Sequence, residues 1–283
     1  MSVKVLTIGI APSRTFPGNW WDMVEVCQRL GLSGVEFKHE LPFILPERWS
    51  WEIIKRIAAV AKEEGWFLSL HGPYTNIGSL LPKRWRAAVD EHFEALEVAQ
   101  TLGAQTYTIH PGWVEEKYCT SDLLRRCRDK TGEALAEILA HSDGIKICVE
   151  NQNPSEKDKA KAGVSPEHLH YLVRDLPQVM FTLDVGHAYV FNKALEDFAA
   201  LLGPKRIGLA HIHDNYGTED SHLPPGRGTI DWRSFLAYYL NEGCEFPLFL
   251  ETIGSEAEFR DGSDFLMKIL EETLVKEGTD ERR

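Results

Sequence analysis

Eight short runs rich in β-branched and aromatic residues recur along the chain, starting at positions 3, 34, 66, 106, 146, 180, 207 and 247. They read VKVLTIGIA, GVEFK, WFLSLHG, TYTIHPG, KICVEN, MFTLDVG, IGLAHIHD and PLFLETIG. The starts lie 27 to 40 residues apart, which leaves room for one strand and one returning helix each time. Within each run the apolar residues are consecutive more than alternating, the pattern of a strand buried on both faces of a parallel sheet.

The intervening segments have helical character: WWDMVEVCQRLG, SWEIIKRIAAVAKEEG, KRWRAAVDEHFEALEVAQTLG, DLLRRCRDKTGEALAEILAHS, SPEHLHYLVRDL, KALEDFAALLG, DWRSFLAYYLNEG and DFLMKILEETLVKEG. Most close on Gly, which accepts the left-handed conformation that ends a helix. SPEHL offers a Ser N-cap followed by Pro at the first helical position. Eight βα units in 283 residues predict an α/β fold, a single (β/α)8 TIM barrel over residues 1–283, with a charged frayed tail at about 276–283. A doubly wound open sheet would carry a glycine-rich phosphate turn after an early strand, and APSRTFPGNWW holds no G-x-G-x-x-G.

Hydrophobic residues make up 43% and charged residues 26%, with no apolar run near the roughly 20 residues needed to cross a bilayer. The N-terminus lacks the three-part layout of a signal peptide, so a soluble, cytoplasmic protein without membrane contact is expected. A net charge of −12 disfavours a broad nucleic-acid-binding face. The basic clusters Lys83, Arg84, Arg86 and Arg125, Arg126, Arg128 read as solvated helix faces. Cys27, Cys119, Cys127, Cys148 and Cys244 are odd in number and show no CxxC spacing; they read as reduced and mostly packing.

In such a barrel the active site is built at the C-terminal ends of the strands. Those ends carry Glu36 and Lys38, His71, His110, Glu150, Asp184 and His187, then His211, His213, Asp214, Asp220 and His222, and finally Glu251. One histidine near a strand end is ordinarily structural. A whole ring of them, mixed with carboxylates, converges on one mouth, where the carboxylates cannot all ionise without a cation. Imidazole and carboxylate without thiolate suit Zn²⁺, Mn²⁺, Fe²⁺ or Co²⁺.

At HGPY, IHPG, VEN, LDVGHA, HIHDN, DSHLPPGRGTIDW and LET the chain resembles the xylose isomerase-like barrel superfamily, over nearly its whole length. That superfamily includes sugar and sugar-phosphate isomerases and epimerases and the endonuclease IV family. The resemblance to the isomerases maps a metal quartet onto Glu150, Asp184, His211 and Glu251. Glu150 and Glu251 would move a proton on either side of a carbohydrate substrate through a metal-stabilised enediolate. The resemblance to endonuclease IV implies three zincs: His71 and His110 with Glu150; Glu150, Asp184, His211 and Glu251; and His187, Asp220 and His222. VGHAYVFNKALED and HIHDNYG depart from the endonuclease pattern, and HIHDN with DSHLPPGRGTIDW resembles the broad sugar phosphate isomerase/epimerase group. The expectation is therefore a metal-dependent isomerase or epimerase holding one to three divalent ions (Zn, Mn, Co, Fe or Mg). The alternative is a trinuclear zinc phosphodiesterase acting on abasic DNA, and the third reading is a metal-holding barrel without catalysis.

Other residues have weaker signals. His71, His110 and His187 are also candidates to touch substrate directly. Arg227, between Gly226 and Gly228, is a candidate to bind phosphate or carboxylate, and the two glycines permit unusual backbone conformations. Trp113, Trp20 and Trp21 suit an apolar wall or core packing. Glu36 and Lys38 share one face, which is the mouth or the lumen. His213 and Asp214 suit supporting positions beside metal ligands, and Asp214 equally suits a loop cap.

Overall fold

A computed structural model of the chain describes residues 6–13, 15–192 and 194–280, with side chains to 273. Eight parallel strands close into a barrel: β1 (Ile8–Ile10), β2 (Gly34–Lys38), β3 (Phe67–His71), β4 (Thr106–Ile109), β6 (Lys146–Glu150), β8 (Met180–Asp184), β9 (Ile207–Ile212) and β10 (Leu248–Leu250). They pair in the order β1-β10-β9-β8-β6-β4-β3-β2, and β2 returns to β1. Each of the eight expected runs contributes one barrel strand; residues 3–5 of the first lie outside the described residues.

Two further strands, β5 (Trp113–Glu115) and β7 (Lys159–Lys161), pair antiparallel in a separate ribbon. They belong to the segments that follow β4 and β6 in the chain.

The outer helices form where amphipathic periodicity meets good caps. Helix α1 (Trp20–Arg29) opens on a capping box between Asn19 and Asp22, and α2 (Trp51–Glu64) on Ser50. The left-handed Gly65 and Gly103 close α2 and α3 (Pro82–Leu102). Helices α4 (Ser121–Ala140), α5 (Pro166–Leu172) and α8 (Trp232–Asn241) follow β5, β7 and β9. Ser165 caps α5, with Pro166 at its first position. Between β8 and β9 the chain forms two helices, α6 (Val185–Phe191) and α7 (Leu195–Leu202). The single helix expected from position 193 is thus shorter and has a second one before it; Lys193 itself is outside the described residues. The last helix, α9, runs Glu256–Asp280. The expected charged tail begins within this helix, which continues through residues 276–280; 281–283 lie outside the described residues.

The lower lumen is apolar. Phe249 packs there with Ala11 and Leu209, and Gly9 and Gly34 leave its ring room: a Cβ at Gly9 would lie 2.4 Å from the ring. Above it the lumen turns polar. Ser69 Oγ and Thr108 Oγ1 donate to Glu36 Oε1 at 2.8 and 3.0 Å, and Thr108 also meets Thr182 at 3.0 Å. A charged layer inside a barrel whose interior is ordinarily filled by apolar side chains is stable only if the charges are answered by what lies directly above.

Candidate metal centre

What lies above is the ring of histidines and carboxylates. Glu150 and Asp184 end β6 and β8, His71 ends β3, His211 lies within β9, and His110 and Glu251 directly follow β4 and β10. The side chain of Asp184 caps α6 by accepting the His187 N–H at 2.6 Å, which fixes His187 one turn into that helix. Asn151 and Asp184 exchange hydrogen bonds at 2.8 Å, locking the ends of β6 and β8 together. Asp220 and His222 arrive on the loop after β9, whose shape is organised by Asp214. The Asp214 carboxylate accepts from the backbone of Asn215, Gly226 and Ile230 and from the Trp232 indole.

Four of these histidines share one design. Each donates its outer N–H to a group that only accepts, so the opposite nitrogen presents a lone pair to carboxylates. His71 Nδ1 donates to the Gly72 carbonyl at 2.9 Å, and its Nε2 faces Glu150 Oε2 at 3.2 Å. His187 Nδ1 donates to the Asn151 carbonyl at 2.8 Å, and its Nε2 faces Asp220 Oδ2 at 3.1 Å. His222 Nδ1 donates to the Glu251 carbonyl at 2.8 Å, and its Nε2 faces the same Asp220 oxygen at 3.1 Å. His211 Nε2 donates to Glu36 Oε2 at 2.5 Å, and its Nδ1 faces Glu150, Glu251 and Asp184 at 3.2, 3.4 and 3.8 Å. A lone pair facing a carboxylate is repulsive unless a cation, H⁺ or metal, sits between them. Outer nitrogens anchored by carbonyl or carboxylate are the support that metal-binding imidazoles need.

The electrostatics agree. Burial alone would lower the His211 and His187 imidazoles, yet the surrounding carboxylates hold both well above the usual range. His222 is raised to about 9 against its burial, chiefly by Asp220 and Glu251. Burial would raise Glu150, Glu251 and Asp220, yet their cationic neighbours hold all three well below the usual carboxylate range. Asp220 Oδ1, His213 Nδ1 and His110 Nδ1 are buried without a hydrogen-bond partner among the described residues. The first two lie 3.7 Å apart, an open donor pair inside the cluster. These features fit bound divalent metal.

The nine residues expected as ligands fall into three groups, each with its ligand atoms within 4.8 Å of one another. They are His71, His110 and Glu150; Glu150, Asp184, His211 and Glu251; and His187, Asp220 and His222, which His213 joins. Glu150 belongs to two groups and splits its oxygens between them: Oε2 meets His71 and His110 at 3.2 and 2.8 Å, and Oε1 meets His211 at 3.2 Å.

A cavity of about 500 Å³ opens over this ring and is also lined by Lys38, Tyr74, Glu156 and Lys161. Lys38 pairs with Glu251 Oε1 in a buried ion pair, so Lys38 faces the mouth while Glu36, two residues earlier, faces the lumen. Arg227 is not among the lining residues. Its side chain is 64% exposed and paired with Asp261 at 2.6 Å, because the turn that carries it packs Gly226, at φ 86°, over Phe265. Gly228 is needed for closeness, not conformation: a Cβ there would lie 2.3 Å from Asp214 Oδ1. Trp20 is buried against Phe37, and Trp21 lies under Arg56, so neither lines the cavity. Trp113 stacks on Tyr74 at 5.2 Å, and both line a neighbouring groove of about 360 Å³. Arg86, Arg125 and Arg126 are paired with acidic neighbours on the helix surface, and Arg128 Nε donates to the Ala162 carbonyl.

The sequence profile described as xylose isomerase-like TIM barrel matches residues 24–269. The chain belongs to this family. Among its relatives, an uncharacterized protein of Methanocaldococcus jannaschii is 30% identical over 171 residues, 58% of this chain and 56% of that protein. The match thus spans little more than half of that relative's length. A probable endonuclease 4 of Campylobacter fetus subsp. fetus is 25% identical over 206 residues, 65% of this chain and 69% of its own. A D-tagatose 3-epimerase-like protein superposes with a TM-score of 0.82 at 22% identity, over 96% of this chain and 99% of that one, which establishes the shared fold. Within this xylose isomerase-like barrel, sequence reasoning did not single out Tyr74, Glu156 and Lys161. The Lys-Ala alternation of KDKAKAG was the available signal for a short strand there.

Proposed function

We propose that this xylose isomerase-like barrel is a divalent-metal-dependent hydrolase of phosphoesters with a three-ion centre. The observation that carries the reading is the division of Glu150. A glutamate that relays a proton to and from a sugar carbon needs an oxygen free to do so. Both Glu150 oxygens already face histidines of different groups, and Glu251 divides its oxygens between Lys38 and His211. This supports a holding role, rather than proton transfer, for both carboxylates. The convergence of His187 and His222 on Asp220 at 3.1 Å each supports a third ion, and the curated relative described as a probable endonuclease 4 has the matching chemistry in its name.

Divalent ions at these groups would supply Lewis acidity toward phosphoryl oxygens and lower the pKa of water. The chain's own residues do the rest. Glu150 fixes the spacing of two groups, Asp184 and Asn151 lock the β6 and β8 ends, and Lys38 keeps Glu251 turned toward His211. In the net reaction, water adds to phosphorus, one P–O ester bond breaks, and the leaving alcohol takes up a proton.

A second reading, a sugar or sugar-phosphate isomerase or epimerase, is favoured by the cavity wall. It presents Glu40 and Glu156, which suit a small polar substrate better than a nucleic-acid backbone. Three assays on one metal-loaded preparation separate these readings: hydrolysis of bis(p-nitrophenyl) phosphate, nicking of abasic-site DNA, and solvent deuterium uptake into ketoses and their phosphates. Ester hydrolysis without deuterium uptake is the expected result. Deuterium uptake without hydrolysis would replace the first reading with the second.

A further inference from the structure

The β5–β7 ribbon carries a cation into the cavity that the metal groups do not use. Lys161 pairs across the ribbon with Trp113, and its side chain is only 4% exposed while lining the cavity. Its ammonium has three donors. One meets Glu156 Oε2, and a second meets Tyr74 Oη at 2.5 Å; the third has no acceptor among the described residues. The Tyr74 ring stands edge-on to His110 at 4.9 Å, and His110 Nε2 meets Glu150 at 2.8 Å. Lys161 therefore stands one aromatic ring away from the first metal group.

Its partner is replaceable. Glu156 already meets Lys159 through Oε1 at 2.6 Å and accepts the Tyr74 hydroxyl through Oε2 at 2.9 Å. If Lys161 turned to another anion, Glu156 would keep two partners and no charge would be stranded. The balance of the cavity favours such an anion. Its lining holds the carboxylates Glu40, Glu150, Glu156, Asp220 and Glu251 against Lys38 and Lys161, and two or more divalent ions reverse that excess.

We propose that Lys161 anchors a phosphoryl oxygen of the substrate beside the His71, His110 and Glu150 group, exchanging Glu156 for the substrate. The proposal rests on the reading above that this cavity binds substrate, and it names the substrate's recognised group.

Titrating inorganic phosphate calorimetrically into zinc-loaded protein tests it, with the zinc content of each variant measured first. Lys161→Met should keep its zinc and weaken phosphate at least tenfold. Glu156→Gln, which frees Lys161 from its competitor, should tighten phosphate by threefold or more. Lys117→Met, whose side chain is 67% exposed and outside the cavity lining, should stay within twofold of wild type. A purely structural ion pair would make both partners' variants weaker, and that outcome overturns the proposal. So would wild-type affinity in Lys161→Met, loss of zinc in that variant, or a wild-type protein that takes up no phosphate. Failure of the hydrolase reading is separate: it would appear as missing ester hydrolysis with these phosphate affinities intact.

Discussion

Glu36 Oε2 accepts the Nε2 proton of His211 at 2.5 Å inside the barrel lumen, where both side chains are fully buried. The remaining Glu36 oxygen accepts from Ser69 and Thr108, so the carboxylate cannot rotate away and the imidazole cannot flip. His211 is thereby held with Nδ1 toward Glu150, Glu251 and Asp184. Replacing Glu36 with Gln keeps the shape and removes the charge. Supporting groups of this kind are worth roughly 10- to 100-fold in metal affinity, and competition with a chromogenic chelator should find a loss in that range.

The division of Glu150 and the position of Asp220 predict unequal losses of metal. Asp220→Asn weakens one group and should cost one ion, leaving the groups built on Glu150. Glu150→Gln weakens two groups at once and should cost two. Elemental analysis of the dialysed variants distinguishes the two patterns; equal losses would place both carboxylates at one ion.

His92, outside the candidate ligands, gives a further pH dependence. Burial pushes its imidazole down to about 3, helped by the charges of His71, His39 and His110, and its Nδ1 meets the Tyr107 hydroxyl at 2.8 Å. The unfolded chain protonates this histidine near 6.5 while the folded chain does not. Its contribution is therefore complete above about pH 6.5 and falls as the pH drops toward 3, by at most about 1.4 kcal/mol per pH unit. His92→Gln should be less stable at pH 7 by about 1–3 kcal/mol for the disturbed hydrogen bond, and its disadvantage should shrink at pH 5. Urea unfolding of chelator-treated protein at the two pH values checks the sign; a constant difference would contradict it.

Of the five cysteines, only Cys119 has partial exposure; the other four are buried. Burial raises the Cys27 and Cys127 thiols to about 12 and pushes Cys148 up further, which suppresses the reactive thiolate. Native protein treated with iodoacetamide at pH 8 should gain one adduct, on Cys119, by peptide mass mapping. A second adduct at early times would contradict the packing described.

The barrel was legible because its strands bury both faces and so write runs more apolar than alternating, and because the C-caps of α1, α2, α3, α7 and α8 are a glycine or stand one residue before one. Six of the nine candidate ligands, Glu150, Asp184, His71, His211, His110 and Glu251, were legible for a related reason, since a polar residue at the end of such a run has only the mouth to occupy; His187, Asp220 and His222 lie on α6 and the loop after β9 and were legible from the resemblance. The β5–β7 ribbon was not. Its strands are three residues each, one of them Lys-Ala-Lys, too short and too charged for periodicity to register. Glu36 and Lys38 share one face by parity, and only the closed barrel shows that the first points into the lumen and the second into the mouth. Arg227 misled in the opposite way. Its guanidinium fork suggested a phosphate or carboxylate ligand, but Gly226 turns the chain and Gly228 lets it pass Asp214, and the arginine is left facing Asp261 at the surface.

The proposed hydrolase activity depends on the three-ion centre, which has a direct measurement. Protein reconstituted with Zn²⁺, freed of unbound metal and weighed by amino-acid analysis should contain three zinc ions per chain by inductively coupled plasma mass spectrometry. One ion per chain, with Asp220 and His222 dispensable for holding it, would contradict the account.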